Sequence, residues 1–572
     1  MENKHIIKLL KQTAKLMELF GENDFKIKSY NSAIFNLEKL DKRMADLSAY
    51  ELEQLDGIGK SLAASIAEIV ETGSLKQLVD YQDKMPAGVA EMLKLSGFGP
   101  KKIKLIWEEL GIDNLDDLVI ACREGRIAKL KGFAEKSQEK LLESALFIIE
   151  SRGFLHYREA EQLGNDIIKL LSTAVGDNPI SFTGNLRRKM EVIKPLELLT
   201  VSATKTNITD VFTDSPEFEI NHKDSGPFRL ALKHIESKSP VVIYFTANNN
   251  FHIELYRTTA NPQHLTYQIE QGKSLYQLLK SDKFKDEASI FEAAKLPVIA
   301  PELREGLWEF DMAAKGEMPN LIELSDLMGI LHNHSTYSDG ANSLKEMALY
   351  CKELGFEYLG ITDHSKTASY AGGLQEFIVK QQHEEIEKLN KELAPFKIFK
   401  GIESDILNDG ALDYADDVLA SFDFIVASIH AQLNMDEKTA TERLIKAIAN
   451  PFTTMLGHPT GRLLLRREAY PINHKAVIDA CAAHNVIIEI NAHPWRLDLD
   501  WRHVKYAIDQ GVKISINPDA HETNGYHDMY YGVCVGRKAG LTAEETFNSL
   551  SLEKVEAHFN QKKAAALKTI NS

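Results

Sequence analysis

Histidines and carboxylates at the ends of short apolar segments constrain this chain more than any other feature of its sequence. In residues 329–340, His332 and His334 alternate along a strand, so that both imidazoles leave on one face, and Asp339 follows in the loop. A His, Asp or Glu follows an apolar run again further on, in Thr362-Asp-His-Ser, Gly401-Ile-Glu-Ser, Ser428-Ile-His, Gly457-His-Pro and Pro518-Asp-Ala-His.

These positions are typical of the place where the carboxyl end of a strand meets its loop, the rim on which barrel enzymes build their sites. Strand-like segments alternate with helical ones over residues 326–572, which predicts a parallel αβ barrel. The predicted strands are 358–362, 398–402, 424–428, 454–456, 486–490 and 513–516. Nine such ligands on one rim would be costly to bury alone, so bound metal ions are expected.

The totals indicate an ordinary globular protein of several domains. A length of 572 residues predicts three or four domains, and no apolar run approaches a membrane span. The N-terminus opens directly into an amphipathic pattern, so no signal peptide is expected. Four cysteines without CxxC spacing favour a reducing cytoplasm. The net charge of −16 means that any contact with DNA must be local.

Two similar segments in the N-terminal helical region predict a DNA-binding surface. Leu55-Asp-Gly-Ile-Gly-Lys and Leu95-Ser-Gly-Phe-Gly-Pro-Lys-Lys both read apolar-x-Gly-apolar-Gly before a helix, the helix-hairpin-helix pattern. The glycines let the amides of the next helix N-terminus approach a phosphate, without regard to sequence. A third segment, Leu130-Lys-Gly-Phe, lacks the second glycine, and a structural turn stays open for it. The expected DNA contacts are Gly57, Gly59, Lys60, Gly97, Gly99, Lys101 and Lys102.

The middle of the chain mixes strand and helix patterns. A helix is predicted over 158–171 and another over 227–235. Strands are predicted over 197–202, 241–246 and 251–256. Prolines at 297, 301 and 319 predict an extended linker over 293–320.

Taken together, these motifs resemble a bacterial family X DNA polymerase that carries a C-terminal PHP (polymerase and histidinol phosphatase) domain. The resemblance covers nearly the whole chain. It implies a multidomain α and α/β fold with helix-hairpin-helix domains of 8-kDa-like and fingers-like type in 1–150. A nucleotidyltransferase-like palm and thumb with a linker would occupy 151–320, and a distorted (βα)7 PHP barrel would occupy 326–572.

The resemblance further implies a trinuclear metal centre at the barrel mouth. One metal would be held by His332, His334, Glu403 and Asp519. Glu403 would bridge to a second metal bound by His430 and His458, and a third would be bound by Asp339, His364 and His521. Such nitrogen-rich ligands suit zinc, manganese or iron. Glu403, His430 and His521 are the expected catalytic residues. Arg462 and Arg496 are candidate phosphate clamps, with a structural ion pair as the alternative for each.

The polymerase signature of the family is incomplete in this chain. The family pattern is Gly-Ser-x-Arg-Arg, then Glu, then Gly-Asp-x-Asp, whose aspartates hold two magnesium ions. Arg187, Arg188 and Glu191 fit that pattern, but Pro195 and Glu197 stand where the aspartates should be. Proline offers no ligand, so we expect no magnesium there and no DNA synthesis. Ser65 falls where lyase-active relatives carry a lysine, and no lyase activity is expected.

The leading hypothesis is a metal-dependent 3′–5′ exonuclease or 3′-end-processing enzyme of DNA repair, whose substrates include abasic sites. Its expected partner is gapped, nicked or 3′-ended DNA, and it is expected to be monomeric and cytoplasmic, close to the bacterial nucleoid. Three alternatives remain open. They are a small-molecule phosphatase of the histidinol-phosphatase type, a non-catalytic DNA-end-binding scaffold, and an active gap-filling polymerase.

Overall fold

The computed structural model describes residues 1, 3–37, 40, 42–55, 57–95, 97–202, 205–269, 272–281 and 283–571. The chain divides into two units, Met1–Arg152 and Gly153–Ser572. Each unit has its own core of buried apolar side chains. The second unit contains both the predicted 151–320 and the predicted 326–572 segments.

The first unit is helical in the part that the structure describes. Its core is formed by residues at helical spacing, such as Ile6, Leu10 and Ala14 of the first helix. The helices are α1 (Asn3–Leu19), α2 (Asp24–Leu37), α3 (Ala49–Glu53), α4 (Lys60–Thr72), α5 (Lys76–Lys84), α6 (Ala87–Met92), α7 (Pro100–Leu110), α8 (Leu115–Arg123) and α9 (Glu135–Ser151).

Glycine sets the entry into two of these helices. Gly57 and Gly97 have φ of 76° and 78°, a left-handed conformation that other residues adopt at a cost. Gly59 and Gly99 follow as the residues that cap α4 and α7. Gly132 has φ of 92° just before α9, so the third, degenerate segment also makes a left-handed turn into a helix.

The second unit begins with a mixed sheet surrounded by helices. The described strands pair in the order β2-β4-β7-β6-β5, with β4 and β7 parallel. The elements are β1 (Leu155–His156), α10 (Tyr157–Val175), β2 (Ile180–Phe182), α11 (Gly184–Arg187), β3 (Val192–Ile193), β4 (Leu196–Val201), α12 (Lys205–Thr213), β5 (Phe218–Ile220), β6 (Arg229–His234), β7 (Pro240–Thr246), α13 (Phe251–Thr259), α14 (Pro262–Leu265), α15 (Leu275–Ser281), α16 (Glu287–Ala294) and α17 (Glu309–Lys315).

Two local predictions in this region are wrong. The predicted helix over 227–235 is strand β6, because its antiparallel pairing with β7 buries Leu230 and Leu232 and outweighs the helical preference of Leu, Ala and Lys. The predicted strand over 251–256 is helix α13, which buries Phe251 and Leu255 at helical spacing despite its aromatic, strand-like composition.

The predicted extended linker over 293–320 is also wrong. Helix α17 lies within it, and Ile299, Leu303 and Phe310 are buried in a small core. Pro297 and Pro319 follow the ends of α16 and α17, and Pro301 begins a short 3-10 helix, but the chain stays in the core because apolar residues between the prolines pack inward. This segment is therefore a folded part of the second unit.

The remainder of the chain is a nearly closed barrel, which confirms the predicted fold class. Its described strands run parallel in the order β14-β13-β12-β11-β10-β9-β8, and a bridge between Asn333 and Ala520 joins the two edges. The elements are β8 (Gly329–Ile330), α18 (Leu344–Glu353), β9 (Tyr358–Ile361), α19 (Glu376–Leu393), β10 (Lys397–Asp405), α20 (Asp416–Leu419), β11 (Phe424–Ser428), α21 (Glu437–Ile448), β12 (Met455–Leu456), α22 (His474–His484), β13 (Ile487–Asn491), α23 (Trp501–Asp509), β14 (Ile514–Asn517), α24 (Met529–Lys538) and α25 (Leu552–Asn571).

Helix α24 joins the barrel to the mixed-sheet part of the same unit. Cys534 of this helix lies in the core that contains Ile193 and Leu196. The ammonium group of Lys538 is buried and pairs with Glu305, and it also donates to the carbonyl oxygen of Arg188 at 3.1 Å. None of the helices in the described residues has the length and apolar character needed to cross a membrane.

Candidate metal centre

Nine side chains predicted as metal ligands gather at the carboxyl ends of the barrel strands. We call them the ligand cluster: His332, His334, Asp339, His364, Glu403, His430, His458, Asp519 and His521. Eight of them divide into three groups, and in each group the potential ligand atoms lie within 4.8 Å of one another. The groups are His332, His334 and Asp519; His364, Glu403 and His430; and His334, Asp339, His364 and His521.

Glu403 lies at the middle of the ligand cluster. Its Oε1 atom is 2.9 Å from Nε2 of His458 and 3.2 Å from Nε2 of His430, while Oε2 is 3.0 Å from Nδ1 of His364. The two histidines after β8 also approach this carboxylate, at 3.4 and 3.6 Å. The side chain is 1% exposed. Its position is that of a group able to bridge cations.

The three groups differ in membership from the sets that the resemblance implies. His364 belongs with Glu403 and His430 as well as with Asp339 and His521, and His334 is likewise shared. His458 lies in none of the three groups and approaches the cluster through Glu403. The histidines therefore form one continuous cluster, because His334 and His364 are each shared between two groups.

Unpartnered atoms provide a test of whether cations fit. Buried nitrogen or oxygen atoms that make no hydrogen bond of acceptable geometry belong to His332 (Nε2), His334 (Nδ1), His364 (Nδ1), Glu403 (Oε2) and His458 (Nδ1), although Oε2 of Glu403 and Nδ1 of His364 are 3.0 Å apart. Each such atom costs about 1–3 kcal/mol when it stays unpaired. Imidazole nitrogens and carboxylate oxygens are ligands for zinc, manganese and iron. The residues present therefore fit a divalent metal centre.

The electrostatics of the cluster favour added positive charge. Burial opposes protonation of His430, but Glu403 and Asp405 outweigh it and raise the pKa of His430 to about 10. Burial likewise opposes protonation of His521, yet Asp339 and Asp519 raise its pKa to about 9. Burial raises the pKa of a carboxyl, but the surrounding imidazoles hold the pKa of Glu403 well below its ordinary value.

Other histidines of the cluster are held neutral. Burial, together with the neighbouring His521 and His364, lowers the pKa of His334 to about 3. Burial also lowers the pKa of His458, with Arg496 acting in the same direction. A neutral imidazole is the form that binds a metal, so these two side chains need no deprotonation before ligation.

Two carboxylates that were not predicted from the sequence orient ligand histidines by pairing with their Nδ1 atoms. Nδ1 of His332 lies 2.7 Å from Oε1 of Glu489, whose other oxygen accepts from the backbone amide of His458 at 2.8 Å. Nδ1 of His430 lies 2.5 Å from Asp405. Such partners fix the ring orientation of a metal-bound histidine. A glutamate inside the apolar run Ile-Ile-Glu-Ile of β13 was the available signal.

A third missed carboxylate, Asp363, holds the loop that carries Asp339. It is fully buried and accepts hydrogen bonds from the amide and hydroxyl of Ser335, each at 2.7 Å. It also accepts from the hydroxyl of Ser338 at 2.5 Å and from the amide group of Gln382 at 2.6 Å. Asp363 thus connects the loop after β8 to His364, the candidate ligand that directly follows Asp363 in the sequence.

The two candidate phosphate clamps lie in different surroundings. The guanidinium of Arg462 pairs with Asp500 and donates to the carbonyl oxygens of Arg496 and Leu497, so its donors are used within the fold. Arg496 lies at the edge of the ligand cluster, with Nε 3.5 Å from Oδ2 of Asp519. Arg496 is therefore the better placed of the two to meet a phosphate.

The hairpin residues form exposed helix starts in the first unit. No side-chain hydrogen bond caps α4 or α7; α4 begins with the amide of Lys60, whereas α7 begins with Pro100, which has no N–H, so its first amide is that of Lys101. Lys60 is exposed at the start of α4. Lys101 pairs with Asp24 at 2.9 Å, and Lys102 lies over the rings of Phe98 and Phe133.

The residues of the polymerase signature are engaged within the fold. Arg187 makes a two-bond ion pair with Glu287, and Nε of Arg188 donates to Glu305 at 2.8 Å. Burial raises the pKa of Glu197, whose carboxylate accepts from the hydroxyl of Tyr244 at 3.0 Å. Pro195 lies just before β4 and offers no ligand atom.

Family models match three parts of the chain. A helix-hairpin-helix domain matches residues 1–75, and a SAM-like helix-hairpin-helix tandem matches residues 89–145. The tandem includes the third, degenerate segment. A PHP domain matches residues 331–493.

Curated relatives extend these matches. A protein named DNA polymerase/3′-5′ exonuclease PolX, from Bacillus subtilis (strain 168), is 34% identical over 573 residues, which cover 97% of this chain and 99% of the relative. A protein named Probable phosphatase from Thermoanaerobacter sp. (strain X514) is 26% identical over 243 residues, 41% of this chain and 94% of the relative. Another of that name, from Acetivibrio thermocellus, is 27% identical over 244 residues, 41% of this chain and 95% of the relative.

Proposed function

This chain belongs to the bacterial PolX family of family X DNA polymerases with a C-terminal PHP domain, and from that premise we propose that it is a 3′–5′ exonuclease. Its barrel would hydrolyse the terminal phosphodiester of DNA with divalent metal ions. The observation that carries the proposal is the position of Glu403, 2.9–3.2 Å from three histidines at the centre of the ligand cluster.

The chemistry divides between cations and side chains. When bound, divalent cations would lower the pKa of a water molecule and neutralise phosphate oxygens. Glu403 would hold two of them together, and Asp405 would keep His430 oriented through its 2.5 Å hydrogen bond. Arg496 would bind a non-bridging phosphate oxygen from the edge of the cluster. His521 would hold the ion on the more exposed side, where its side chain is 41% exposed.

We also propose that the palm of this chain does not synthesise DNA. A two-metal site needs carboxylates on both ions, and Pro195 supplies none. Glu197 is hydrogen-bonded to Tyr244, and the two signature arginines are paired with Glu287 and Glu305. A primer-extension assay on gapped DNA with magnesium or manganese tests this, and templated extension would contradict it.

The remaining features of the proposal follow from the family and the hairpins. The partner is gapped, nicked or 3′-ended DNA, bound without sequence preference through the starts of α4 and α7. Abasic sites are a further substrate. The metals are up to three ions of zinc, manganese or iron. The protein acts as a cytoplasmic monomer near the nucleoid.

A labelled-end assay tests the exonuclease. A duplex labelled at its 5′ end is incubated with the protein and manganese, zinc or iron, and progressive shortening from the 3′ end is expected. Glu403→Ala should abolish shortening, whereas Glu437→Ala, which changes an exposed glutamate at the start of α21, should not. An unchanged substrate with every metal would contradict the proposal and would favour a DNA-end-binding scaffold, if gapped DNA were still bound tightly.

A small-molecule phosphatase is the second candidate, because relatives named Probable phosphatase match 41% of this chain over nearly their whole length. Rates on p-nitrophenyl phosphate and on DNA separate the two. The exonuclease predicts a much higher kcat/KM on DNA. The side chain of the hairpin lysine Lys60 can be removed by Lys60→Ala. If this variant lost activity on DNA and kept its activity on p-nitrophenyl phosphate, the barrel would act on small substrates independently of the hairpins.

A further inference from the structure

An exposed aromatic ring lies beside the ligand cluster and takes no part in holding it. Tyr370 lies in the loop between β9 and α19 and is 69% exposed. Its ring centroid is 6.0 Å from that of His364, which belongs to two of the three ligand groups. Burial raises the pKa of its hydroxyl group, and the carboxylates of Asp405, Glu403 and Asp339 raise that pKa further.

The loop that presents this ring is fixed by its own contacts. The amide and hydroxyl of Thr367 donate to Asp413 at 2.7 and 2.9 Å, and Ala371 is buried directly after Tyr370. Gly373 packs so closely that a Cβ atom there would lie 1.9 Å from the carbonyl oxygen of Ser365. The backbone on both sides of Tyr370 is therefore held by contacts, while its ring lies in solvent.

Positive charge lies on the same side of the cluster. Burial raises the pKa of the Tyr370 hydroxyl while Arg496 acts to lower it, and burial lowers the pKa of Arg467 while Tyr370 acts to raise it. Arg467 donates through Nε and one terminal nitrogen to the carbonyl oxygen of Gly461. Arg496, with Nε 3.5 Å from Oδ2 of Asp519, therefore offers a cation at the edge of the ligand cluster for the phosphate of a nucleotide whose base meets the exposed ring.

We propose that Tyr370 is a stacking subsite for the unpaired nucleobase at the 3′ terminus, while the adjoining phosphate lies between the ligand cluster and Arg496. This rests on the proposed exonuclease. Stacking on an aromatic ring tolerates any base, in keeping with sequence-independent binding, and it requires a base that has left its duplex partner. The subsite therefore selects frayed or mismatched 3′ nucleotides over paired ones.

Two matched substrates test the subsite, one ending in thymidine and one ending in a tetrahydrofuran residue that lacks a base. Tyr370→Ala should lower kcat/KM on the thymidine end about 5- to 150-fold, the range of one base–aromatic stack, and leave the tetrahydrofuran end unchanged. Tyr370→Phe should keep the wild-type preference. The control is Tyr506→Ala, which removes a tyrosine that bonds Asp479 between outer helices α23 and α22.

Fluorescence gives a measurement that does not depend on turnover. An oligonucleotide with 2-aminopurine at its 3′ end and a phosphorothioate terminal linkage should be quenched by the wild-type protein and by Tyr506→Ala, and not by Tyr370→Ala. Equal quenching by Tyr370→Ala, or equal loss of cleavage on both ends, would overturn the subsite. Absence of cleavage of either end by the wild type would contradict the exonuclease, and the quenching would still decide the subsite.

Discussion

Glu489 lies 2.7 Å from Nδ1 of His332, and neither side chain is exposed to solvent. The carboxylate fixes the ring so that Nε2 turns toward Glu403 and Asp519, at 3.4 and 3.6 Å. The same carboxylate accepts a hydrogen bond from the backbone amide of His458. Glu489 therefore positions two members of the ligand cluster without belonging to the cluster.

Replacing this carboxylate should weaken metal binding without unfolding the barrel. Glu489→Gln keeps the volume but loses the charge that orients His332, so metal affinity should fall about 10- to 100-fold. Competition with a chelator measures it, with Glu437→Gln as the control. Affinity equal to that of the wild type would mean that the backbone alone orients the histidine.

Asp363→Asn should loosen the loop that carries Asp339. The amide would place an N–H group against donors from Ser335, Ser338 or Gln382, leaving at least one buried donor unpaired, at a cost of about 1–3 kcal/mol. Urea unfolding measures the loss, and metal analysis should find fewer ions per chain. Full metal content with wild-type stability would contradict the role of Asp363.

Asp528 provides a pH-dependent prediction away from the metal centre. Burial raises its pKa from an ordinary 3.8 to about 6, although Arg158 acts against the rise. Between these values the folded state binds more protons than the unfolded state, so this group makes stability fall as pH rises from about 4 to 6. Asp528→Asn removes that dependence.

The free energy of unfolding of Asp528→Asn, relative to the wild type, should therefore increase by up to about 3 kcal/mol from pH 4 to pH 7. Urea titrations at several pH values measure it. A difference between the two proteins that does not change with pH would show that the carboxyl titrates normally.

Variants of Lys538 test how much the contact between the barrel and the mixed-sheet part contributes to the free energy of unfolding. Lys538→Met removes the ammonium from Glu305, which keeps Arg188 as a partner, so a loss of about 3 kcal/mol is expected. The double variant Lys538→Met/Glu305→Gln should recover part of that stability, because the charge left behind is removed as well. A double variant less stable than both single ones would contradict this account.

The sequence indicated where the candidate ligands gather better than it indicated the side chains that support them. Most of the candidate ligands follow an apolar run, and parallel strands bring their carboxyl ends to one edge, so a gathering of these side chains at one rim could be expected from the sequence. Glu489 and Asp363 act through partners far away in sequence, and no local pattern reveals such pairings. Strand β6 was misjudged for the same reason, because its pairing with β7 decides its conformation.

Lys538 is 1% exposed, and its hydrogen-bond partners in the described residues, Arg188, Glu302 and Glu305, all come from the preceding part of the unit, while the ring of Trp501 in the barrel lies 4.4 Å from its ammonium group. In a shortened protein that began at the barrel, the ammonium group of Lys538 would lose these hydrogen-bond partners. It would then lie beside the newly exposed apolar surface around Cys534. Removing the preceding part of the unit would therefore require a new polar surface on helix α24 of the barrel.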